Sequence, residues 1–402
     1  MKTRLAIIIA FTALFQACLS GTIDPIPNCN AQEIAKVTAK QWNKEVKAGW
    51  NLGNQLECGA TGIDGESVAI CNPPAAITAE TAWGNPVVTK KTIKAVKDAG
   101  FDAIRIPIRW QHHITNSQAM SVDRAWMDRV KEIVDWCLSY DLKVIINVHH
   151  DKWLESRPNF EYKEENCQKL ALLWLNIASE FASYDYGLAF AGTNEVHEPN
   201  NWGKPTAENL AVQNAYNQTF VDIVRSTGGN NLTRHLIVQT YVCNPEFGLY
   251  NGDFVIPTDV EGNNNDFMSV EFHYYTPWDY CGEGKRYFWG DPYKEYEGAS
   301  AQDEANMIAL FDKVEREWSS KGLGVVIGEW GVTDHYISSH KDLCRQNISY
   351  YCKMLTSEAR KRGFSTFVWD NNSFGNGADK FGIFNRRKNM EPQAEWMLKG
   401  IF

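Results

Sequence analysis

The chain has 402 residues, 44% hydrophobic and 22% charged, with a formal net charge of −9, the composition of a soluble globular protein with room for one large domain. No run of Lys or Arg interrupts the acidic balance, which excludes nucleic acid as a partner. Aromatic residues make up 12% of the chain, with 15 Trp among them; that is more than a core of this size requires, so rings are expected on a groove or surface, as a carbohydrate ligand would want.

The first residues, MKTRLAIIIAFTALFQACLS, place Lys2 and Arg4 before an apolar run and small residues after it, the layout of a secretory signal over residues 1–18. The run is too short to span a bilayer. Cys18 after Ala17 also fits a lipoprotein cleavage site, so lipid anchoring to a membrane at Cys18 stands as the alternative to release, and the protein is expected outside the cytoplasm, as a monomer. Without Cys18, nine cysteines remain, an odd number that leaves at least one free thiol. Export permits disulfides, and Cys58 with Cys71, in one loop rich in Gly and Pro, is the candidate pair. No CxxC occurs, which argues against a zinc ribbon or redox motif, and no cofactor or metal is expected.

Beyond a short segment at residues 19–30, a helix is predicted over 31–46. Eight apolar runs then follow: AGWNLGN (48–54), AIRIPI (103–108), KVIINVHH (143–150), LAFAGTNEV (188–196), HLIVQTY (235–241), MSVEFHYY (268–275), GVVIGEWG (324–331) and STFVWDN (365–371). Between them lie stretches with apolar residues at three- and four-residue intervals, such as 88–100, 124–141, 165–185 and 302–322. Strand alternating with helix eight times predicts a single-domain α/β fold over residues 31–402, the (β/α)₈ TIM barrel, with the leading helix capping its bottom. A doubly wound sheet is disfavoured because no Gly-rich nucleotide fingerprint follows the first strand.

A barrel places its functional side chains at the carboxyl ends of the strands, while polar groups in mid-strand are expensive to bury. Those ends carry Asn54 and Glu57, Arg105, His149 and His150, Asn194 and Glu195, Tyr241, His273 and Tyr275, Glu329, Trp369 and Asn371. Glu195 and Glu329 finish the fourth and seventh runs, which a barrel sets across one cavity. Two facing carboxylates, one protonated and one ionised, are what cleavage of a glycosidic bond requires, and proximity separates their pKa values. Alternation back from Glu195 puts Thr193, Ala191 and Ala189 on one face, a stripe of small residues suited to a barrel interior. Glu198, beside Pro199, falls in loop and reads as a rim residue or a loop ligand, so Glu195 is assigned as the proton donor.

The segments GWNLGNQLE, TAWGNP, RIPIRW, INVHHD, TNE, FHYYTPWDY, IGEWG and VWDNN together resemble glycoside hydrolase family 5, the cellulase family, across residues 48–375, and within it subfamily 4, which is endo-acting on β-1,4-glucans. The resemblance implies Glu195 as acid/base and Glu329 as nucleophile of a retaining reaction. It further implies Arg105 holding the nucleophile ionised, Asn194 binding the sugar 2-hydroxyl, and His273 and Tyr275 orienting the carboxylates. His149 and His150 would contact the sugar at the cleavage point, with Trp369 stacked under it. Asn54, Glu57, Trp83, Trp278 and Asn371 are implied contacts further along a β-glucan polysaccharide or oligosaccharide. One departure is visible: the family's Asn-Glu-Pro is interrupted here by Val196–His197–Glu198, which puts the loop beyond the acid in question. A mannanase or xylanase of the same fold is the alternative substrate class. Two readings compete from other classes. One is a zinc site built from His149, His150, Asp151, His197, Glu198 and His273, disfavoured because adjacent strand-end histidines point to opposite faces and no HExxH or His-x-His spacing is present. The other is a glycan-binding lipoprotein without chemistry, against which both carboxylates argue.

Overall fold

The computed structural model describes residues 36–59, 70–71, 73–249 and 253–402; the predicted signal at 1–18, Cys18, the 19–30 segment and the start of the predicted leading helix lie outside them. Each of the eight apolar runs forms a strand: β1 (Gly49–Leu52), β2 (Ala103–Ile106), β3 (Lys143–Asn147), β4 (Leu188–Ala191), β5 (Leu236–Gln239), β6 (Met268–Tyr274), β7 (Gly324–Trp330) and β8 (Ser365–Asp370). They pair in parallel and close into a barrel in the order β1-β8-β7-β6-β5-β4-β3-β2.

The leading helix α1 is shorter than predicted, Ala39–Glu45, because Thr38 caps it: its side chain accepts from the Gln41 amide at 3.2 Å. It does close the barrel's bottom. Trp42 and Val46 pack with Ala103, Ile145, Ala189, Ala191, Ile237, Val326 and Phe367, the inward side chains of the strands' lower halves. Asn43 of the same helix donates to Ser269 at 2.9 Å and accepts from Ser365 at 3.0 Å, which fixes it to β6 and β8. Gly49 makes room for this layer, since a Cβ there would lie 2.3 Å from the Phe367 ring.

Helices α2 (Lys90–Asp98), α3 (Arg124–Ser139), α4 (Phe160–Glu180), α5 (Ala207–Ser226), α6 (Gln302–Glu317), α7 (Lys341–Lys361) and α8 (Glu395–Ile401) follow the strands. Capping boxes start two of them, Thr89 with Thr92 and Thr206 with Asn209. Their apolar stripes meet the outward residues of the strands, among them Ile104, Val144, Phe190, Val270, Phe272, Val325 and Ile327, in one continuous core. Between β5 and β6 the described helix is the five-residue Pro245–Leu249.

One irregularity governs the site. Ile327 pairs with Phe272, yet Glu329 pairs with His273; on the other side Ile327 pairs with Thr366 and Trp330 with Val368. β7 therefore carries one extra residue relative to both neighbours, a bulge at Gly328. Gly324 and Val326 face inward and Val325 and Ile327 outward, so strict alternation would send Glu329 out to the helices. The bulge returns it to the barrel interior.

Candidate active site

Glu329 sits near the top of β7. Arg105 Nη1 donates to its Oε1 at 2.9 Å and the Tyr275 hydroxyl to its Oε2 at 3.1 Å. Glu195 stands four residues past the end of β4, and its Oε1 lies 2.6 Å from His273 Nδ1. That same nitrogen is 3.7 Å from Glu329 Oε2. Glu195, Glu329 and His273 each bring a side-chain N or O atom to within 4.8 Å of the others, so the two carboxylates expected to face each other do so. Glu195 is the more open, its side chain 28% exposed against 9% for Glu329.

The electrostatics follow from burial. Desolvation lifts the Glu329 carboxyl above its ordinary value, and the nearby Glu195 and Glu271 add to the rise, while His273 and Arg105 pull against it. Burial disfavours charge on His273, but the Cys243 thiol and the carboxylates of Glu329 and Glu195 outweigh it and raise its pKa well above that of a free imidazole. Desolvation, with Glu329 and Glu195 beside it, pushes Tyr275 well up, so its hydroxyl remains a donor. Burial lowers His149 far below the ordinary range. The ring is therefore neutral, with the Asn147 amide 3.1 Å from its Nδ1 and the Asn194 amide 3.5 Å from its Nε2.

Asn194, nearly buried, accepts from Arg105 Nη2 at 2.9 Å and directs its Nδ2 toward Glu155 at 3.3 Å. Trp369 lies parallel to His149, with centroids 6.2 Å apart and planes at 8°. Gly53 lets that indole lie against β1, since a Cβ would meet it at 2.7 Å. His150 has a left-handed φ of 60°, so the two adjacent histidines do not part as alternation implied. Their rings are 4.2 Å apart, and His150 also faces Trp83 at 6.1 Å. Trp83 and Trp278 present half-exposed rings.

Two expectations are corrected, those for Glu57 and for the Cys58–Cys71 pair. Glu57 is fully buried, its carboxylate taking the backbone amides of Asn54 and Gln55; it shapes the turn after β1, where Asn54 has φ 54°, and is closed to solvent. Asn371, part-exposed, also ties its own loop, donating to the Asp379 carbonyl at 3.1 Å and accepting from the Ser373 amide at 3.0 Å. Cys58 and Cys71 are free thiols, as are the other six described cysteines; the Cys58 thiol is instead packed beside the Trp83 backbone and Arg386.

The six residues of the competing zinc reading do not converge on one point; His150 faces Glu155 at 3.3 Å. Asp151 accepts the Trp110 and Gln111 amides at 2.9 and 3.0 Å. Glu198 takes the Asn159 and Asn209 side chains at 2.6 and 2.8 Å, the loop tie expected of it. His197 turns its Nδ1 to the Glu195 carbonyl at 2.5 Å and stacks on Trp202 at 4.5 Å. The tripeptide Val196–His197–Glu198 thus builds a wall behind Glu195 and holds up a half-exposed indole, Trp202.

The family model "Cellulase (glycosyl hydrolase family 5)" matches residues 64–375. The chain belongs to glycosyl hydrolase family 5. Among its family-5 relatives, it is 34% identical over 385 residues to endoglucanase A of Paenibacillus barcinonensis, covering 90% of each chain. It is 35% identical over 302 residues to a xyloglucan-specific endo-β-1,4-glucanase of Bacteroides ovatus, covering 74% of this chain and 57% of that one. Among solved structures it is similar to a subfamily 4 broad-specificity endoglucanase from Ruminococcus champanellensis with bound cellotriose, with TM-score 0.77, 30% identity, and 92% and 99% coverage of this chain and that one.

Around this family-5 site stand polar residues that the sequence reading missed, three of them because they lie inside strands. Asn51 of β1 accepts from Arg105 at 3.1 Å. Gln239 of β5 and Glu271 of β6 are fully buried and joined at 2.7 Å. Glu155, in a short helix after β3, lies 3.3 Å from both His150 and Lys152. The signal for Glu271 was present in period two: Ser269, Glu271 and His273 share one face of β6.

Proposed function

We propose that this glycoside hydrolase is an endo-acting β-1,4-glucanase that cleaves by double displacement with net retention. The observation carrying the reading is the convergence of Glu195 and Glu329 oxygens within 4.8 Å at the barrel mouth. That is near the roughly 5–5.5 Å separation of retaining enzymes and short of the ~6.5–9.5 Å that leaves room for a water.

Glu329 is the nucleophile. Arg105 and Tyr275 both donate to it, and each bond favours the anion. Glu195, the more exposed partner, is the acid: it passes a proton to the glycosidic oxygen as Glu329 bonds to C1. Glu195 then takes a proton from the water that attacks C1 and frees Glu329. Trp369 and His149 form the floor and wall for the sugar at the cleavage point, and Asn194 reaches its 2-hydroxyl. Trp83, Trp278 and Trp202 serve as stacking surfaces along the chain of sugars, an apolar face for each pyranose. The β-1,4-glucan class is supported by the substrates named for the Paenibacillus, Bacteroides and Ruminococcus relatives. Export, with release or a lipid anchor at Cys18, is supported by Lys2, Arg4 and the apolar run after them.

The test is incubation with carboxymethylcellulose, barley β-glucan, xyloglucan and mannan, reading reducing ends, product lengths and the anomer first formed by proton NMR. Internal cleavage of glucans to the β-anomer is expected. Release from mannan alone, or first formation of the α-anomer, overturns the reading.

A further inference from the structure

Glu271 is a carboxylate in the middle of a barrel strand, fully buried, and no step of the double displacement uses it. Its surroundings are built for it. Oε2 receives Gln239 Nε2 at 2.7 Å. Oε1 faces Arg105 Nε at 3.1 Å and His273 Nε2 at 3.4 Å. The bulged Gly328 leaves space for it alone: a Cβ there would stand 1.8 Å from Glu271 Oε1. A buried carboxylate is tolerated when cations face it, and here the two cations are those that contact the proposed nucleophile and the proposed acid.

His273 thus has a carboxylate at each nitrogen: Nδ1 is in hydrogen-bond contact with Glu195 at 2.6 Å, and Nε2 lies at ion-pair distance, 3.4 Å, from Glu271, without hydrogen-bond geometry. A neutral imidazole carries one ring proton; two carboxylates on opposite nitrogens select the form that carries two. The other groups facing this ring are Glu329, the Cys243 thiol and, further off, Arg105 and His149. Counting formal charges, Glu195, Glu271 and Glu329 oppose Arg105 and His273, so the cluster is neutral when it holds one further proton, the one Glu195 must donate.

Resting on the reading of Glu195 as acid, we propose that Glu271 is a positioning residue that keeps His273 doubly protonated and so sets the pH at which Glu195 gives up its proton. The reading agrees with the lowering of the Glu271 pKa, where Arg105 and His273 overcome desolvation.

The experiment compares wild type, Glu271→Gln and Glu271→Asp in pH profiles of kcat/KM on barley β-glucan and on 2,4-dinitrophenyl β-cellobioside, with Glu329→Gln as the inactive control. Without Glu271, His273 gives up its second proton, and the loss of that cation beside Glu195 leaves the acid protonated to higher pH, so the basic limb on glucan should move up by about one pH unit in Glu271→Gln. It should return toward wild type in Glu271→Asp, and move less on the aryl glycoside, whose leaving group needs no proton. A lower kcat with an unmoved basic limb reduces Glu271 to a structural part and overturns the proposal. If Glu271→Gln does not fold, nitrogen-15 NMR of histidine-labelled wild type decides, with His273 assigned by its Asn variant: two protonated ring nitrogens at neutral pH support the proposal, and one unprotonated nitrogen overturns it. Failure of the underlying reading looks different, because wild type would then release no reducing ends from any glucan while the NMR result stands independently.

Discussion

The two carboxylate-bearing segments are built on opposite plans. Glu329 belongs to a strand buried along its whole length and takes side-chain hydrogen bonds from Arg105 and Tyr275. Glu195 belongs to a loop, its carboxylate touched by His273. Its backbone is fixed from behind: the Val196 carbonyl accepts from Val242 at 3.1 Å, the Asn194 carbonyl takes the Cys243 thiol at 3.4 Å, and the Glu198 amide meets the Tyr241 hydroxyl at 3.0 Å. A group that must stay ionised is surrounded by donors, whereas a group that must gain and lose a proton each turnover is held by its main chain and left open at its tip.

The sharpest way to break this contrast is to remove each carboxylate's charge. Glu329→Gln should lower kcat by about 10⁴-fold or more on every substrate, since the bond to C1 has no substitute. Glu195→Gln should lose roughly 10²–10⁴-fold on glucan and far less on 2,4-dinitrophenyl β-cellobioside; equal losses on both substrates would erase the distinction between the two segments. Tyr275→Phe removes one donor to the anion, a bond worth about 1.5–3 kcal/mol; it should lower kcat by roughly one to two orders of magnitude.

The same contrast has a pH signature. The Glu329 pKa is raised, and the reaction needs its anion, so activity should fall with decreasing pH through a midpoint above the ordinary glutamate value of about 4.3. Tyr275→Phe should move that acid limb higher still, because the lost bond favoured the charged form. An acid limb at or below the ordinary value would contradict the burial argument. The smallest effect expected is that of reductant: with the eight described cysteines free, dithiothreitol should leave the melting temperature unchanged.

Much of this was legible in the sequence for a physical reason. Eight apolar runs with helical spacing between them have few ways to bury themselves other than a closed barrel, and Ala189 and Ala191 do line its interior. Glu195 lay in phase with that small-residue stripe. Glu329 was found for an incomplete reason: alternation along Val325–Ile327 points it outward, and only the extra residue at Gly328 turns it in, a feature that depends on pairing with two other strands. Glu57 was misjudged because a polar residue just past a strand can serve its own turn as well as a ligand. Glu271 and Asn51 were passed over by the rule that mid-strand polar groups are expensive, which fails where each finds a charged or amide partner across the barrel. Cys58 and Cys71 share a loop, but spacing in the chain says nothing of thiol separation in space.

The indole of Trp42, seated among the lower side chains of the strands, makes the barrel a vessel with a stopper in its base. Because the barrel's interior is filled by packed side chains, sugar, departing oligosaccharide and hydrolytic water all reach the carboxylates from the face at the strands' carboxyl ends. The water that completes a turnover therefore has to enter by the route the leaving chain has just vacated.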